Sequence, residues 1–358
     1  MRVLLIRLRL IGDVVLSTPV IRALRRGFPD ASLAYLVERE AAPVVAGNPH
    51  LDEVIVVERT RGTARLAQDV RLAWALRRRR FDVVIDMHGG PRSSWLTFAT
   101  GARQRIGYAM PGRHWMYTRT VPRARDLRPR HSVLNQWDLL HAVEGWAPED
   151  PEEARDAVEM LTDPPADQRI AERLARAGVT DGDELVLVHV SANNLFRRWP
   201  EEAFVELVAG LATNSPRRRL VLSSGPSDRE AAGRIAAGAR ERLGAASAPR
   251  VLDFGEFSLA ELRALIGRSR LFIGGDTGPL HVAATTATPV VAIYGPTLPS
   301  RSRPWRDPAI ATAAVERTGL PCRPCDQRVC APGDYRCLTT IEPQMVLDAA
   351  ERALQCVA

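Results

Sequence analysis

Short runs of apolar residues recur along the whole chain, each closed by a glycine, an acid or a polar turn and followed by a stretch with helical periodicity. In the first half the runs are Val3–Ile6, Leu33–Val37, Val54–Val57 and Val83–Met87, and the stretches between them are Val14–Arg26, Glu40–Val45 and Ala64–Arg80. The first helical stretch places apolar residues at Val14, Val15, Leu16, Ile21 and Leu24. Strands that alternate with helices pair in parallel, because each helix carries the chain back across the sheet. The pattern predicts a doubly wound α/β architecture.

The rhythm restarts in the second half. Strands are expected at Leu185–Val190, Leu220–Ser223, Val251–Phe254, Leu271–Ile273 and Val290–Tyr294, with helices at Ala203–Leu211, Arg229–Arg242, Leu259–Ile266 and Pro279–Ala287. Residues 89–130 are less regular and read as loops, and a helix is expected over Ser132–Val143. The acidic stretch Pro148–Pro165 holds four prolines and reads as a linker. At 358 residues the chain exceeds one ordinary core. Two Rossmann-like units are expected, residues 1–160 and residues 161–358, the second including a cysteine cluster and a C-terminal helix.

Composition narrows the class. Hydrophobic residues make up 46% and charged residues 25%, the proportions of a soluble globular protein. No window approaches the roughly 18 uninterrupted apolar residues of a membrane span. The first strand leads into Arg7 and Arg9 without a signal-peptide core, so a cytoplasmic location is expected. The net charge of +7 is carried by arginine alone, since the chain has no lysine, and this uniform bias weakens any functional reading of the charge. Arg77–Arg80 reads as a solvated helix end. Arg119, Arg123, Arg125, Arg128 and Arg130 lie in a loop-like segment that is either solvated or meets an acidic, phosphorylated acceptor. Aromatic residues do not interleave with the basic ones as an RNA-binding sheet requires, so no nucleic-acid partner is expected. A nicotinamide fingerprint, a Walker loop and Gly-x-Ser-x-Gly are all missing.

The chemistry concentrates in three turns. Leu271–Ile273 feeds Gly274-Gly-Asp-Thr-Gly-Pro-Leu-His281, a strand entering a helix through a tight turn. Free N–H groups at such a helix start favour a phosphate, with Asp276, Thr277, Gly278 and His281 around it. The plainer alternative is a turn in any α/β protein with Asp276 as the helix cap. Asp13, in the turn after Val3–Arg7, stands where open α/β sheets hold ligands, and capping the following helix is its alternative role. Arg197 lies in the polar loop Ser191–Pro200 after the second unit's first strand, either as a cation for the same ligand or as a surface arginine.

Taken together, these segments resemble glycosyltransferase family 9, the ADP-heptose:lipopolysaccharide heptosyltransferases. The resemblance rests on Arg7-Leu-Arg-Leu-Ile-Gly-Asp-Val-Val-Leu-Ser-Thr-Pro19, Arg197-Arg-Trp-Pro200, Gly274–His281 and Pro289-Val-Val-Ala-Ile-Tyr-Gly-Pro-Thr297. It implies a GT-B fold with the active site in a cleft between two Rossmann-like domains. It also implies inverting transfer of a heptose-type sugar from an ADP-sugar to a lipopolysaccharide-core or related acceptor, with Asp13 as general base. Donor contacts would come from Ser191, Arg197, Phe257, Asp276, Thr277, Gly278 and His281. The family's usual residue at the Arg197 position is lysine, so the charge is kept and its geometry altered. Phe257 and Ser258 match the position facing adenine, although Phe257 also suits a core. The loop Gly225–Glu230 stands where it could reach the ribose. Helix ends and arginine suffice for the diphosphate, so transfer requires no cofactor. A lipid-linked acceptor suggests peripheral association with an anionic inner membrane. A sugar-nucleotide 2-epimerase, a non-catalytic sugar-nucleotide binder and a glycosyltransferase of the same family with a different donor sugar are the competing readings.

Four of the five cysteines form Cys322-x2-Cys325-x4-Cys330-x6-Cys337. The spacing suits a structural zinc site of four thiolates, with free thiols as the alternative. Cys356, in the last helix, reads as ordinary core.

Overall fold

The computed structural model of the chain describes residues 1–60, 62–123, 130–190 and 194–355. It divides into two compact units, Met1–Leu161 and Thr162–Ala358.

The first unit holds β1 (Arg2–Ile6), β2 (Ser32–Glu38), β3 (Glu53–Val57), β4 (Val83–Asp86), β5 (Gln104–Tyr108) and β6 (Arg119–Val121). They form one parallel sheet in the order β3-β2-β1-β4-β5-β6. Val3, Leu4, Leu5 and Ile6 of β1 are fully buried, as are Val83, Val84 and Ile85 of β4, because helices cover both faces of the central strands.

The second unit repeats this winding with β7 (Glu184–Val190), β8 (Arg218–Ser224), β9 (Val251–Asp253), β10 (Leu271–Gly275), β11 (Val290–Tyr294) and β12 (Thr312–Glu316). The order is β12-β11-β10-β7-β8-β9, again all parallel. Its core is built from Val186, Val188, Leu220, Leu222, Leu271, Ile273, Val291 and Ile293, with the last helix, Pro343–Gln355, packed against it through Val346 and Ala350. In each unit the winding reverses between the first and fourth strands, at β1/β4 and at β7/β10. Ligands collect beyond the carboxyl ends of strands at such switch points.

The structure departs from the sequence expectation in specific places. The helix expected over Val14–Arg26 is two, Ile11–Val15 and Thr18–Gly27. Pro19, which lacks an N–H, opens the second helix, and the Ser17 and Thr18 hydroxyls bond back to the Val14 and Val15 carbonyls. Within residues 89–130 lie a helix, Pro91–Ala99, and the strands β5 and β6. β5 is short and broken by Gly107, which hides its strand pattern. A Cβ there would lie 2.4 Å from the Tyr117 ring, so only glycine lets that ring cross the strand. The presumed linker also differs. Asp156, Val158 and Met160 are buried, and Arg22 donates to the carbonyls of Arg155 and Ala157, which fixes this segment to the first unit. Pro164 then opens the helix Pro164–Arg176, a position where its missing N–H costs nothing.

Candidate functional site

At the end of β1, Asp13 is the third residue of the helix Ile11–Val15 rather than a residue before it. Its Oδ2 lies 2.6 Å from Arg7 Nη2 and receives the Leu10 N–H at 3.4 Å. A side chain reaching back to the residue before a helix is a cap contact, so part of the capping role exists alongside the ion pair. Burial works against the Arg7 charge, and the adjoining Asp13 carboxylate outweighs it, holding the guanidinium above its ordinary value. Arg7 also donates to the Met87 carbonyl, which ties the turn after β1 to the end of β4.

Sequence reasoning left the β4 end unassigned. Asp86 is fully buried and accepts from Ser93 Oγ at 2.9 Å, Tyr117 Oη at 2.6 Å and the N–H groups of His88 and Gly89. Burial pushes the Asp86 carboxyl up. His88 Nδ1 stands 3.2 Å from the Arg9 carbonyl, and burial, reinforced by the Arg7 charge, takes its imidazole down to about 4. A cavity of about 270 Å3 opens here, lined by Arg9, Arg59, Arg65, His88 and Arg92 among others. Met87-His-Gly-Gly-Pro91 has the same strand–glycines–proline–helix signature as the Gly274 turn, and that signal would have found it. The arginines of the later loop have protein partners: Arg119 donates to the Ala142 carbonyl, Arg123 lies 3.1 Å from Met110 Sδ, and Arg130 pairs with Asp138 at 2.6 Å. Arg125 and Arg128 lie outside the described residues.

In the second unit Asp276 follows β10 and is the hub of a polar cluster. Its Oδ2 accepts from Thr297 Oγ1 at 2.5 Å and stands 3.7 Å from Arg197 Nη1, while Oδ1 stands 3.8 Å from His281 Nε2. Arg197 also donates to the Asp276 carbonyl, and its Nε reaches Gln327 Oε1 at 3.0 Å. The structure thus brings together Arg197, Asp276 and His281, adding Thr297 and Gln327, which the sequence analysis did not assign. Asp276 is not the helix cap: that position is Thr277, whose hydroxyl bonds instead to the Gly275 carbonyl at 3.3 Å. The helix is also shorter than expected, Gly278–Ala283 against Pro279–Ala287, and a helix of under two turns contributes little dipole. What remains at Thr277 and Gly278 is a set of helix-start N–H groups next to a guanidinium. A Cβ at Gly275 would stand 3.8 Å from the Arg197 carbonyl, so the two segments lie in near contact at this turn.

His189, near the end of β7, pairs in register with Gly274 of β10 and lies against it, its Cβ 3.4 Å from where a Cβ on that glycine would stand. It is buried, sits 3.0 Å from Ser223 Oγ, and is pushed by burial to about 4. Phe257 is half-buried rather than core, packing 6.4 Å from Phe254, with the Arg173 guanidinium 4.9 Å from its ring centre. Ser258 caps the helix Leu259–Arg268 through a reciprocal pair with Glu261, which occupies its hydroxyl. Ser191 lies outside the described residues.

Cys322, Cys325, Cys330 and Cys337 all border one cavity of about 160 Å3, together with Phe196 and Tyr335. They are free thiols, and among the described residues no three His, Cys, Asp or Glu side chains stand in a group able to hold a metal ion. The expected tetrahedral set is therefore not preformed. The segment is nevertheless anchored beside the Asp276 cluster: Cys325 N–H donates to the Pro296 carbonyl at 3.2 Å and Arg323 to the Thr297 carbonyl at 2.7 Å.

Residues 70–335 match glycosyltransferase family 9 (heptosyltransferase). The chain is 27% identical over 333 residues to lipopolysaccharide heptosyltransferase 3 of Escherichia coli, covering 90% of this chain and 91% of that protein. It is 28% identical over 341 residues to lipopolysaccharide heptosyltransferase 1 of Pseudomonas aeruginosa, covering 92% and 87%. Among solved structures, the family 9 glycosyl transferase from Veillonella parvula DSM 2008 superposes with a TM-score of 0.83 at 23% identity, over 99% of this chain and 97% of that one. The E. coli ADP-heptose lps heptosyltransferase II superposes with a TM-score of 0.79 at 19% identity, over 99% of each chain. At these identities the structural likeness speaks for the fold, two Rossmann-like α/β units, and the sequence match speaks for descent. By that match over most of its length, the chain belongs to glycosyltransferase family 9 (heptosyltransferase), a family of glycosyltransferases.

Proposed function

We propose that this protein is an inverting glycosyltransferase that moves a heptose-type sugar from an ADP-sugar to a hydroxyl of a lipopolysaccharide-core or related acceptor. The observation that carries the reading is the Arg197–Asp276–His281 cluster at the β7/β10 switch point. Its guanidinium and helix-start N–H groups suit a diphosphate. In transfer the acceptor oxygen bonds to the anomeric carbon as the bond from that carbon to the diphosphate oxygen breaks. The electron pair leaves on the diphosphate, where Arg197 and the N–H groups of Thr277 and Gly278 stabilise it. Asp13 takes the hydroxyl proton, held toward its task by Arg7. Attack opposite the leaving group inverts the anomeric configuration. Phe257 offers a partly exposed ring for the adenine.

The named relatives, both called lipopolysaccharide heptosyltransferases, support the sugar and acceptor class. No helix among the described residues is long and apolar enough to cross a membrane, and we place the reaction at the cytoplasmic face. Convergence of four thiols on one cavity supports a structural zinc ion that draws them together on binding. The test is transfer from ADP-heptose, with UDP- and GDP-sugars as controls, read by mass spectrometry of the acceptor. ADP-heptose bound but never transferred or hydrolysed would leave a sugar-nucleotide binder instead.

A further inference from the structure

The helix Gly62–Arg78 of the first unit is apolar on two faces. One face is buried: Ala73 and Leu76 pack into the core with Phe81 and Leu96, and Asp69 beside them pairs with Arg92 at 2.7 Å. On the other, Leu66 is 68%, Val70 61% and Trp74 62% exposed. Positions four residues apart lie on one side of a helix, so these three side chains form a single stripe. A helix apolar on both sides is ordinarily enclosed on both.

The charge around the stripe is of one sign. Asp69 is the helix's only carboxylate, and it is buried between Arg92 and Arg65, the latter 3.7 Å away, while Arg71, Arg77 and Arg78 are exposed. Arg78 lays its guanidinium 4.5 Å from the Trp74 ring centre. We propose that the Leu66–Val70–Trp74 face is a docking surface for an anionic phospholipid bilayer. A tryptophan and aliphatic side chains entering the headgroup boundary, ringed by arginines, are the chemistry of a helix lying in a membrane interface. A second copy of the chain fits less well, because a two-fold contact would set these arginines against their own counterparts. The inference deepens the proposed function in one respect: a lipid-linked acceptor would lie in the surface on which this helix rests.

The test is co-sedimentation of the full chain with vesicles of phosphatidylcholine alone and of phosphatidylcholine mixed with phosphatidylglycerol. Wild type should partition onto the anionic vesicles and be released by salt. Val70→Ser/Trp74→Ser and, separately, Arg71→Gln/Arg78→Gln should each lower partitioning roughly tenfold. ADP binding in solution should be unchanged in both variants. Equal sedimentation of wild type and both variants, or none with anionic vesicles, would overturn the proposal. So would a dimer in analytical ultracentrifugation that Val70→Ser/Trp74→Ser abolishes. Absence of transfer by wild-type protein that still sediments would count against the enzymatic reading and leave the docking surface standing.

Discussion

Arg7 and Asp13 form an ion pair of 2.6 Å, and the arginine, fixed in turn to the Met87 carbonyl, is the more buried partner. The carboxylate is therefore aimed by a charge that belongs to the floor of the sheet, while it keeps some access to solvent itself. A proton acceptor needs this combination of fixed orientation and access.

Asp13→Asn should preserve ADP affinity and lower turnover by roughly 10²–10⁴-fold, the usual worth of a positioned base. The substitution is nearly isosteric and keeps an acceptor oxygen for the Leu10 N–H. Near-normal transfer by the variant, measured with ADP-heptose in single-turnover assays, would move the base elsewhere.

Asp276→Ala should abolish stabilisation by ADP and also lower the melting temperature without ligand. Asp276 is buried and accepts from Thr297, so its loss strands polar partners at a cost of about 1–3 kcal/mol. Differential scanning fluorimetry with and without ADP separates the two effects. An unchanged ADP shift would remove Asp276 from the donor site.

Gln327 sits in the left-handed backbone region at φ 60° and accepts from Arg197 at 3.0 Å. Such a conformation is costly for a residue with a side chain and persists where its surroundings hold it. Gln327→Ala should weaken ADP about 3–10-fold, less than the full worth of one hydrogen bond to a charged group (about 1.5–3 kcal/mol), because the glutamine orients the guanidinium and Arg197 keeps its other contacts. Arg197→Ala should weaken it more, and the double variant should match Arg197→Ala alone, because the glutamine acts through the arginine. Additive losses by calorimetry would show two separate contributions.

Metal analysis of the purified protein should find about one zinc ion per chain, and chelation should lower the melting temperature. Metal-free protein with four titratable thiols and unchanged stability would assign Cys322, Cys325, Cys330 and Cys337 to packing.

His189 links stability to pH. Burial holds the folded-state imidazole at about 4 against an ordinary 6.5, so between these values the unfolded chain binds the extra proton. The contribution is fully present above pH 6.5 and is lost as pH falls toward 4, amounting to about 3 kcal/mol. His189→Gln should flatten that part of the profile in urea unfolding. An unchanged slope would mean that His189 is protonated in the folded protein.

The parallel winding of both sheets was legible in the chain because buried central strands leave continuous apolar runs and short turns leave glycine and proline. The strands β5, β6 and β12 escaped notice, being short, lying toward the sheet edges and carrying polar or glycine residues that break the pattern. Asp13, Arg197, Asp276 and His281 could be singled out because strand-to-helix turns at switch points have a recognisable composition.

What those residues touch was not written locally. Asp276 read as a phosphate-site residue with a helix cap as its alternative, and only the meeting of the turns after β7, β10 and β11 makes it the common partner of Arg197, His281 and Thr297. Gln327 stands 130 residues from Arg197, and no spacing rule reaches that far. Arg22 and Asn48 both bond Glu159 across more than 100 residues, which turned an apparent linker into part of the first unit. Periodicity and turn chemistry act between neighbours in the chain and so determined the elements and their winding. Ion pairs, burial and the exposed Trp74 stripe depend on which segments the fold brings side by side, and only the tertiary structure decides that.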